Sequence, residues 1–219
     1  MESSTPLGDR QYAPATERNR DPILAVLKRV LPPSGTVLEI SSGTGQHAAY
    51  FAPRLSPRHW LPSDYSTEAL SSIEAWRHHQ PADTLYPPIR LDAQAPTWPV
   101  EGSGAPQSSP ITAIVNINML HISPWTAGLG LLAGAGRILP LEGVLYLYGP
   151  FRVDDTLVPS NAAFDLTLRQ RNPTWGVRDL EAVVAAAEAQ GFVFTERVSM
   201  PANNLSLVFR KRELLTRCG

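Results

Sequence analysis

The sequence is poor in several features that mark particular classes of protein. It has one cysteine, Cys218, among 219 residues, so no disulfide can form within the chain and a reducing compartment is expected. No apolar run approaches the roughly 20 residues that a membrane-spanning helix needs. The opening residues, MESSTPLGDR, have no apolar core of the kind that signal peptides contain. We therefore predict a cytoplasmic protein with no membrane partner.

Charge of one sign is lacking as well. The 19 basic and 20 acidic residues give a formal net charge of −1, and the only basic cluster is the short one at 210–212. Nucleic-acid-binding proteins carry a basic patch or stripe, so we predict no nucleic-acid partner. Neither His47 nor His121 stands at metal-ligand spacing from another histidine, a cysteine or a carboxylate, so we predict no metal site.

What the sequence does contain is an alternation of short apolar runs with helical patterns, which predicts one doubly wound α/β domain over residues 1–219. Seven runs predict strands: 37–40, 59–62, 89–92, 111–118, 144–148, 192–199 and 205–211. Helices are expected on both faces of the sheet. Only residues 200–204 separate the last two strands, too few for a helical crossover, so we expect the last strand to be antiparallel.

Two segments are expected to lie outside this regular frame. Asp21 can cap the first helix and Pro22 suits its first turn, which leaves residues 1–20 as a flexible segment. We predict that it is a lid that orders over a bound ligand, with Arg18 and Asn19 as substrate contacts. Residues 93–110 are rich in Pro, Ser and Gly and are predicted to be a loose loop.

The most informative stretch is Val37 to Ala52, VLEISSGTGQHAAYFA. It predicts a buried strand, a turn rich in Ser and Gly, and a helix, which together form a nucleotide-binding corner. Glu39 precedes the glycines, so its carboxylate points towards the ligand. A pyrophosphate would be repelled by that charge, whereas a sulfonium or amino group would be attracted. The stretch therefore favours an S-adenosylmethionine (SAM) pocket over a dinucleotide site.

Ligands bind at the carboxyl ends of parallel strands in such sheets. Asp64 lies about 20 residues past the glycines, where a carboxylate can bind both ribose hydroxyls; the alternative is a helix-capping role. Asp92 is positioned to accept from the adenine amino group, or is an ordinary loop aspartate. The candidate cofactor-binding residues are Glu39, Ser41, Gly43, Thr44, Gly45, His47, Asp64, Leu91, Asp92, Asn116 and Asn118.

Several unusual motifs resemble those of a family that includes methyltransferase-like protein 26. They are 18-RNRDPI-23, 38-LEISSGTGQH-47, 62-PSD-64, 116-NINMLHISPW-125, 148-YGPF-151, 160-SN-161, 175-WGVRD-179 and 200-MPANN-204. The resemblance runs from about Arg10 to Lys211. It implies a Rossmann-like class I SAM-dependent methyltransferase fold but no particular substrate. The usual turn of that class has a glycine where this chain has Ser41, so we expect the methionine end of SAM to be held somewhat differently.

Another group of residues is expected on the acceptor side. His121 follows the fourth strand and is a candidate general base; a hydrogen-bonded residue at the rim of the site is the equal alternative. Tyr148 ends the fifth strand at the same edge and is the second catalytic candidate. The candidate substrate-binding residues are Arg18, Asn19, Asn161, Arg169, Arg171, Trp175, Asn203 and Asn204. We expect the connection from Arg169 to Arg178 to roof the acceptor.

Together these patterns favour a SAM-dependent methyltransferase that acts on a small molecule, most favourably on an oxygen, and releases S-adenosylhomocysteine (SAH). Two alternatives stay open. The chain could bind SAM without turnover, or it could be an NAD(P)-dependent reductase, since Gly43, Gly45 and Ala48 fit the looser dinucleotide pattern. The sequence leaves the acceptor and the oligomeric state undetermined.

Overall fold

A computed structural model describes residues 9–102 and 104–213. Cys218 and the first eight residues of the predicted lid lie outside these ranges. The described strands are β1 (Thr36–Ile40), β2 (His59–Asp64), β3 (Ile89–Arg90), β4 (Ile111–Ile117), β5 (Val144–Gly149), β6 (Phe151–Arg152), β7 (Arg178–Asp179), β8 (Phe192–Met200) and β9 (Asn204–Lys211). The described α-helices are α1 (Pro14–Val30), α2 (Gln46–Arg54), α3 (Thr67–His79), α4 (Trp125–Ile138), α5 (Pro159–Arg171) and α6 (Leu180–Glu188).

Seven strands form the central sheet, in the order β3-β2-β1-β4-β5-β9-β8. Strands β1 to β5 pair in parallel, and β9 runs antiparallel to both of its neighbours, β5 and β8. This confirms the predicted mostly parallel sheet with an antiparallel last strand. The strand order reverses between β1 and β4, and ligands bind in such sheets outside the strand ends at that reversal.

The core lies on both faces of the sheet. Residues of α1 and α2 belong to the core on one face, and residues of α4 and α6 belong to the core on the other. Alternate residues of β1 enter the two cores, with Val37 on the α1/α2 side and Leu38 and Ile40 on the α4/α6 side. Because successive side chains point to opposite faces, Glu39 lies on the α1/α2 side.

Helix α1 begins at Pro14 rather than at Asp21, so the helix start predicted at Asp21 is wrong. Thr16 and Asn19 are buried on the same face as Ile23 and Leu27, which extends the apolar stripe upstream at helical spacing. Pro22 therefore lies inside the helix, where its missing N–H costs one backbone hydrogen bond. Residues 14–20 of the predicted lid are the first turns of α1.

The first part of the predicted loose loop, residues 93–102, is held against helix α4 by buried side chains. Trp98 is 1% exposed and Val100 is 7% exposed. A Cβ added at Gly134 would lie 2.0 Å from the Trp98 ring, and one at Gly130 would lie 2.4 Å from the Ala93 carbonyl oxygen. Two glycines one turn apart thus form a slot for this segment. None of the described helices is both long and apolar enough to cross a membrane.

Candidate active site

A cavity of about 550 Å³ opens at the carboxyl ends of β1, β2 and β4, at the reversal of the strand order. Most of the predicted cofactor-binding residues line it: Glu39, Ser41, Gly43, Thr44, His47, Asp64, Leu91, Asp92 and Asn118. We refer to it as the first cavity. Gly45 and Asn116 do not line it.

The turn after β1 is shaped by three residues with left-handed backbone conformation: Ser41 (φ 59°), Gly43 (φ 57°) and Gly45 (φ 86°). A Cβ on Gly43 would meet no atom within 4 Å, so this glycine faces open space at the cavity. A Cβ on Gly45 would lie 2.6 Å from the Ile73 Cα. Gly45 therefore serves the close packing of α2 against α3 rather than the approach of a ligand.

Ser41 keeps the left-handed conformation that a glycine would adopt freely. A non-glycine residue pays about 1–2 kcal/mol for it, and the surrounding turn maintains it. The Ser42 N–H donates to the Ser63 carbonyl at 2.9 Å, and the Gly43 N–H donates to Asp64 Oδ2 at 3.0 Å. The turn therefore keeps the shape that a glycine would favour although it has Ser41 at this position, and it is anchored to the end of β2.

Glu39 is the most deeply buried carboxylate of the first cavity, at 1% exposure. The Trp60 indole Nε1–H donates to its Oε2 at 3.0 Å. Burial raises the pKa of Glu39 from its usual 4.5 to about 7, and the charge of Asp64 adds to the rise. A cation bound in the cavity would favour the ionised form of this group.

Asp64 and Asp92 lie at the ends of β2 and β3. The two Asp64 oxygens accept from the backbone N–H groups of Gly43 and Ser66, both at 3.0 Å. Ser66 is the side-chain cap of α3, through the Ala69 N–H, so Asp64 is not needed for that role. Asp92 Oδ1 accepts from the Gln94 N–H at 2.9 Å. Both carboxylates retain lone pairs for hydroxyl or amino donors.

His47 is a buried residue on the first turn of α2. Its Nε2 lies 2.8 Å from Asn19 Oδ1, and its ring stacks on Phe51 with the centroids 5.2 Å apart. Burial lowers the pKa of His47 to about 3, with a smaller contribution from Arg20. His47 is therefore neutral at pH 7, and because Asn19 Oδ1 can only accept, Nε2 carries the proton.

Asn116 lies inside the sheet rather than at the cavity. It is 1% exposed, and its Nδ2 donates to the Ile40 carbonyl at 2.9 Å. This bond joins the ends of β1 and β4, where the strand order reverses. The arrangement makes Asn116 a structural support of the first cavity.

A second cavity, of about 700 Å³, adjoins the first at Asn118, which lines both. The residues predicted for the acceptor side that line it are Arg18, Asn19, His121, Tyr148, Asn161, Asn203 and Asn204. The structure thus brings together residues from α1, α5, the strand ends and the turn before β9. Phe164 and Ala15 also line it; no sequence motif marked either of them.

His121 lies in the wall of the second cavity. It is 6% exposed, and its ring packs edge-on against Phe164 with the centroids 5.6 Å apart. Burial lowers the pKa of His121 to about 4, and the positive charge of Arg178 contributes. The imidazole is therefore neutral at pH 7 but a weaker base than a free histidine, whose pKa is about 6.5.

The other polar side chains of the second cavity are hydrogen-bonded to one another. Burial raises the pKa of the Tyr148 phenol, while hydrogen bonds with the side chains of Asn19 and Asn204 act in the opposite direction. Asn161 Nδ2 donates to the Asn203 carbonyl at 3.0 Å, and Asn203 Nδ2 donates to Ser160 Oγ at 3.0 Å. Helix α5 is thereby fastened to the turn before β9.

The predicted roof of Arg169, Arg171 and Trp175 lines neither cavity. Arg169 Nε pairs with Asp165 Oδ2 at 2.8 Å, and Arg171 is exposed. The connection between α5 and β7 instead packs against the loop after β4, where the Gly176 N–H donates to the His121 carbonyl at 3.0 Å. It supports the back of the His121 loop, and the start of α5 takes the place beside the cavity.

The same loop is held by Arg178. Its Nε donates to the Leu120 carbonyl at 3.0 Å, and its Nη2 donates to the Ser123 carbonyl at 2.7 Å.

The N-terminal segment forms a further wall of the first cavity, through Ala13 and Thr16. The sequence predicted that this segment lies over a ligand but singled out neither of these residues. The Ala13 N–H donates to the Gln46 side chain at 2.6 Å, which fixes the start of α1 over α2.

Comparison with solved structures finds many proteins of similar fold, several of which are described as methyltransferases. An O-methyltransferase family protein from Burkholderia thailandensis has a TM-score of 0.69 at 16% identity, with 88% of this chain and 56% of that chain covered. CalO1, a methyltransferase in calicheamicin biosynthesis with SAH bound, has a TM-score of 0.66 at 14% identity, with 88% and 54% covered. YcgJ from Bacillus subtilis has a TM-score of 0.64 at 13% identity, with 87% and 98% covered.

The chain thus spans little more than half the length of the first two proteins and nearly all of YcgJ. At these identities the likeness shows the fold, which is the Rossmann-like fold of class I methyltransferases. The predicted link to methyltransferase-like protein 26 stays a prediction. Residues 10–211 match the model of a family described as "Protein of unknown function (DUF938)", and the chain therefore belongs to the DUF938 family.

Proposed function

We propose that the chain is a SAM-dependent methyltransferase that binds SAM in the first cavity and a small acceptor in the second. The observation that carries the proposal is the pairing of the two cavities. The first is lined by Glu39, Asp64 and Asp92, and no lysine or arginine of the described residues lines it. The second, which joins it at Asn118, is lined by asparagines, His121 and Tyr148.

The charge of the first cavity suits SAM, which carries a sulfonium and an ammonium group. Three carboxylates attract these cations, whereas the two phosphates of a dinucleotide would face the same carboxylates without a basic partner. Asp64 would hold the ribose hydroxyls, Asp92 the adenine amino group and Leu91 the face of the adenine. Glu39 would attract the ammonium group through the open space beside Gly43.

SAM supplies an activated methyl group when it is bound, so the chain has mainly to align the acceptor and exclude water. Asn118, at the junction of the two cavities, would orient the acceptor towards the methyl group. Asn19 contacts both His47 and Tyr148 and would keep the wall between the cavities fixed. His121 is neutral and can accept a hydrogen bond from a protic acceptor; transfer to oxygen is the finer form of the proposal.

Thermal unfolding with candidate ligands separates this function from the alternatives. SAH should raise the melting temperature and NADH should not, because a ligand at 100 times its Kd adds about 2.7 kcal/mol to the stability of the native state. Stabilisation by NADH alone would overturn the proposal and support a reductase. Stabilisation by SAH without SAH release from SAM over a broad acceptor panel would instead support a SAM-binding protein without turnover.

A further inference from the structure

The two adjoining cavities differ in the sign of their charge. Three carboxylates line the first, whereas Arg18 is the one charged side chain among the described residues that line the second. No aspartate, glutamate or lysine of the described chain lines the second cavity. A cavity with this composition favours an anionic ligand, since an anion placed there gains attraction from Arg18 without facing a nearby carboxylate.

Arg18 is free to serve such a ligand. It lies on the second turn of α1, is exposed, and forms no ion pair with any carboxylate in the part of the chain that the structure describes. Other arginines of the described chain are committed, such as Arg169 to Asp165 and Arg29 to Glu196. An arginine at the mouth of a cavity provides five N–H donors in the planar arrangement that carboxylates accept.

The second cavity also offers little to deprotonate an acceptor. Its titratable side chains besides Arg18 are His121, a weak base because it is buried, and Tyr148, whose pKa is raised by burial. A hydroxyl of ordinary acidity would need a stronger base near its oxygen. An oxygen that has already lost its proton needs none.

We infer that the methyl acceptor is a small organic acid, which Arg18 draws into the second cavity as an anion and whose ionised oxygen is methylated. The inference rests on the proposed function and adds the chemical class of the acceptor. In the transfer one bond forms, between the anionic oxygen and the methyl carbon, and one breaks, between that carbon and the sulfonium sulfur. The sulfur keeps the electron pair and SAH leaves, so the protein takes up no proton.

The neutral side chains of the second cavity fit this role. Asn19, Asn161, Asn203 and Asn204 provide N–H donors and carbonyl acceptors without adding charge. They can bind the remaining polar groups of an acid without repelling its anion. Phe164 and Pro150 add an apolar surface to the same wall, which suits the carbon skeleton of the acid.

The experiment compares anionic and neutral probes of equal size on the SAH-loaded full chain. Calorimetric titrations use benzoate against benzamide, and a short aliphatic carboxylate against its amide, so that aromatic and aliphatic acids are distinguished. The variants are Arg18→Gln and Arg18→Lys, with Arg197→Gln as a matched control, because Arg197 is exposed on the edge strand β8 and lines neither cavity. Binding of SAH itself is measured on every variant.

We expect an acid to bind more tightly than its neutral counterpart, and Arg18→Gln to weaken the acid about tenfold, the effect of losing one charge-assisted contact. Arg18→Lys should restore part of the affinity, Arg197→Gln should match the wild type, and SAH affinity should not change. Added salt should reduce the preference for the acid, because Arg18 is exposed.

Turnover provides a second readout of the same inference. SAH release from SAM, followed with a nitro-substituted phenol and with phenol, should rise with pH as each acceptor ionises, and should be faster with the more acidic phenol at pH 7. Equal binding of acids and amides, or turnover with neutral alcohols alone, would overturn the inference and leave the methyltransferase proposal in place. A chain that binds no SAH would overturn both.

Discussion

Glu39 shows how one residue can connect the stability of the chain with its chemistry. The carboxylate is buried beside Trp60, at a strand end where an apolar residue would pack without cost. Desolvation raises its pKa to about 7, so the cavity without a ligand holds this group only partly ionised near neutral pH. A bound ammonium group would compensate for the lost hydration of the carboxylate.

This position yields a prediction for Glu39→Gln. The folded chain retains a proton on Glu39 that the unfolded chain releases between pH 4.5 and about 7, so ionisation of this carboxyl lowers stability as the pH rises through that range. The glutamine variant lacks that loss. We expect the free energy of unfolding in urea to rise with pH in the variant relative to the wild type, by up to about 3 kcal/mol above pH 7.

The two buried histidines titrate in both proteins, so their contributions cancel in the difference. Bound ligand should reverse the sign: SAH should bind the wild type more tightly as the pH rises and Glu39 ionises, and the glutamine variant should lack that gain. A stability difference that is constant across the pH range would contradict this account, because it would show that folding does not raise the pKa of Glu39.

At the scale of whole elements, helix α4 is shaped to pack against the segment between β3 and β4. Gly130 and Gly134 lie one turn apart and leave the space into which the 93–98 segment and the Trp98 ring pack. Glycine inside a helix costs about 0.5–1 kcal/mol relative to alanine. Burial of a tryptophan offsets that cost, since a fully buried aromatic side chain contributes several times as much.

Gly134→Ala should therefore destabilise the chain although alanine favours helices. A Cβ at Gly134 would lie 2.0 Å from the Trp98 ring, and overpacking of this kind costs about 1–3 kcal/mol. In a Trp98→Ala background the same substitution should be neutral or stabilising, because the slot is then empty. Urea unfolding of the two single variants and the double variant measures the coupling; additive effects would show that the ring does not occupy the slot.

At the scale of the whole molecule, the parts that the sequence predicted are those determined by local pattern and chain connectivity. Apolar runs mark the seven strands, the five-residue link before the last strand requires it to be antiparallel, and parallel topology gathers the strand-end residues. The position of the first cavity follows from these alone. The same reasoning wrongly placed Asn116 at the first cavity. Its amide instead donates a hydrogen bond to the Ile40 carbonyl, which the strand pattern in the sequence does not reveal.

The parts that it missed depend on tertiary contacts. Pro22 reads as a helix start, and only the burial of Thr16 and Asn19 shows that α1 begins earlier. The prediction that the connection after α5 roofs the acceptor was wrong. That connection is held by backbone hydrogen bonds, such as the one from the Gly176 N–H to the His121 carbonyl, and backbone bonds leave no pattern in the sequence. The slot for Trp98 likewise appears only when helix and loop are brought together.

Calorimetric titration of SAH into the wild type, Asp64→Asn and Asp83→Asn tests most directly whether the first cavity is the cofactor site. Asp64 lines that cavity, whereas Asp83 is an exposed aspartate that lines neither cavity. We expect one SAH per chain in the wild type and in Asp83→Asn, and a Kd about 10–100-fold higher in Asp64→Asn, the effect of losing a charged acceptor for hydroxyl donors. Equal affinity in all three proteins, or no binding of SAH to the wild type, would contradict the assignment of the first cavity.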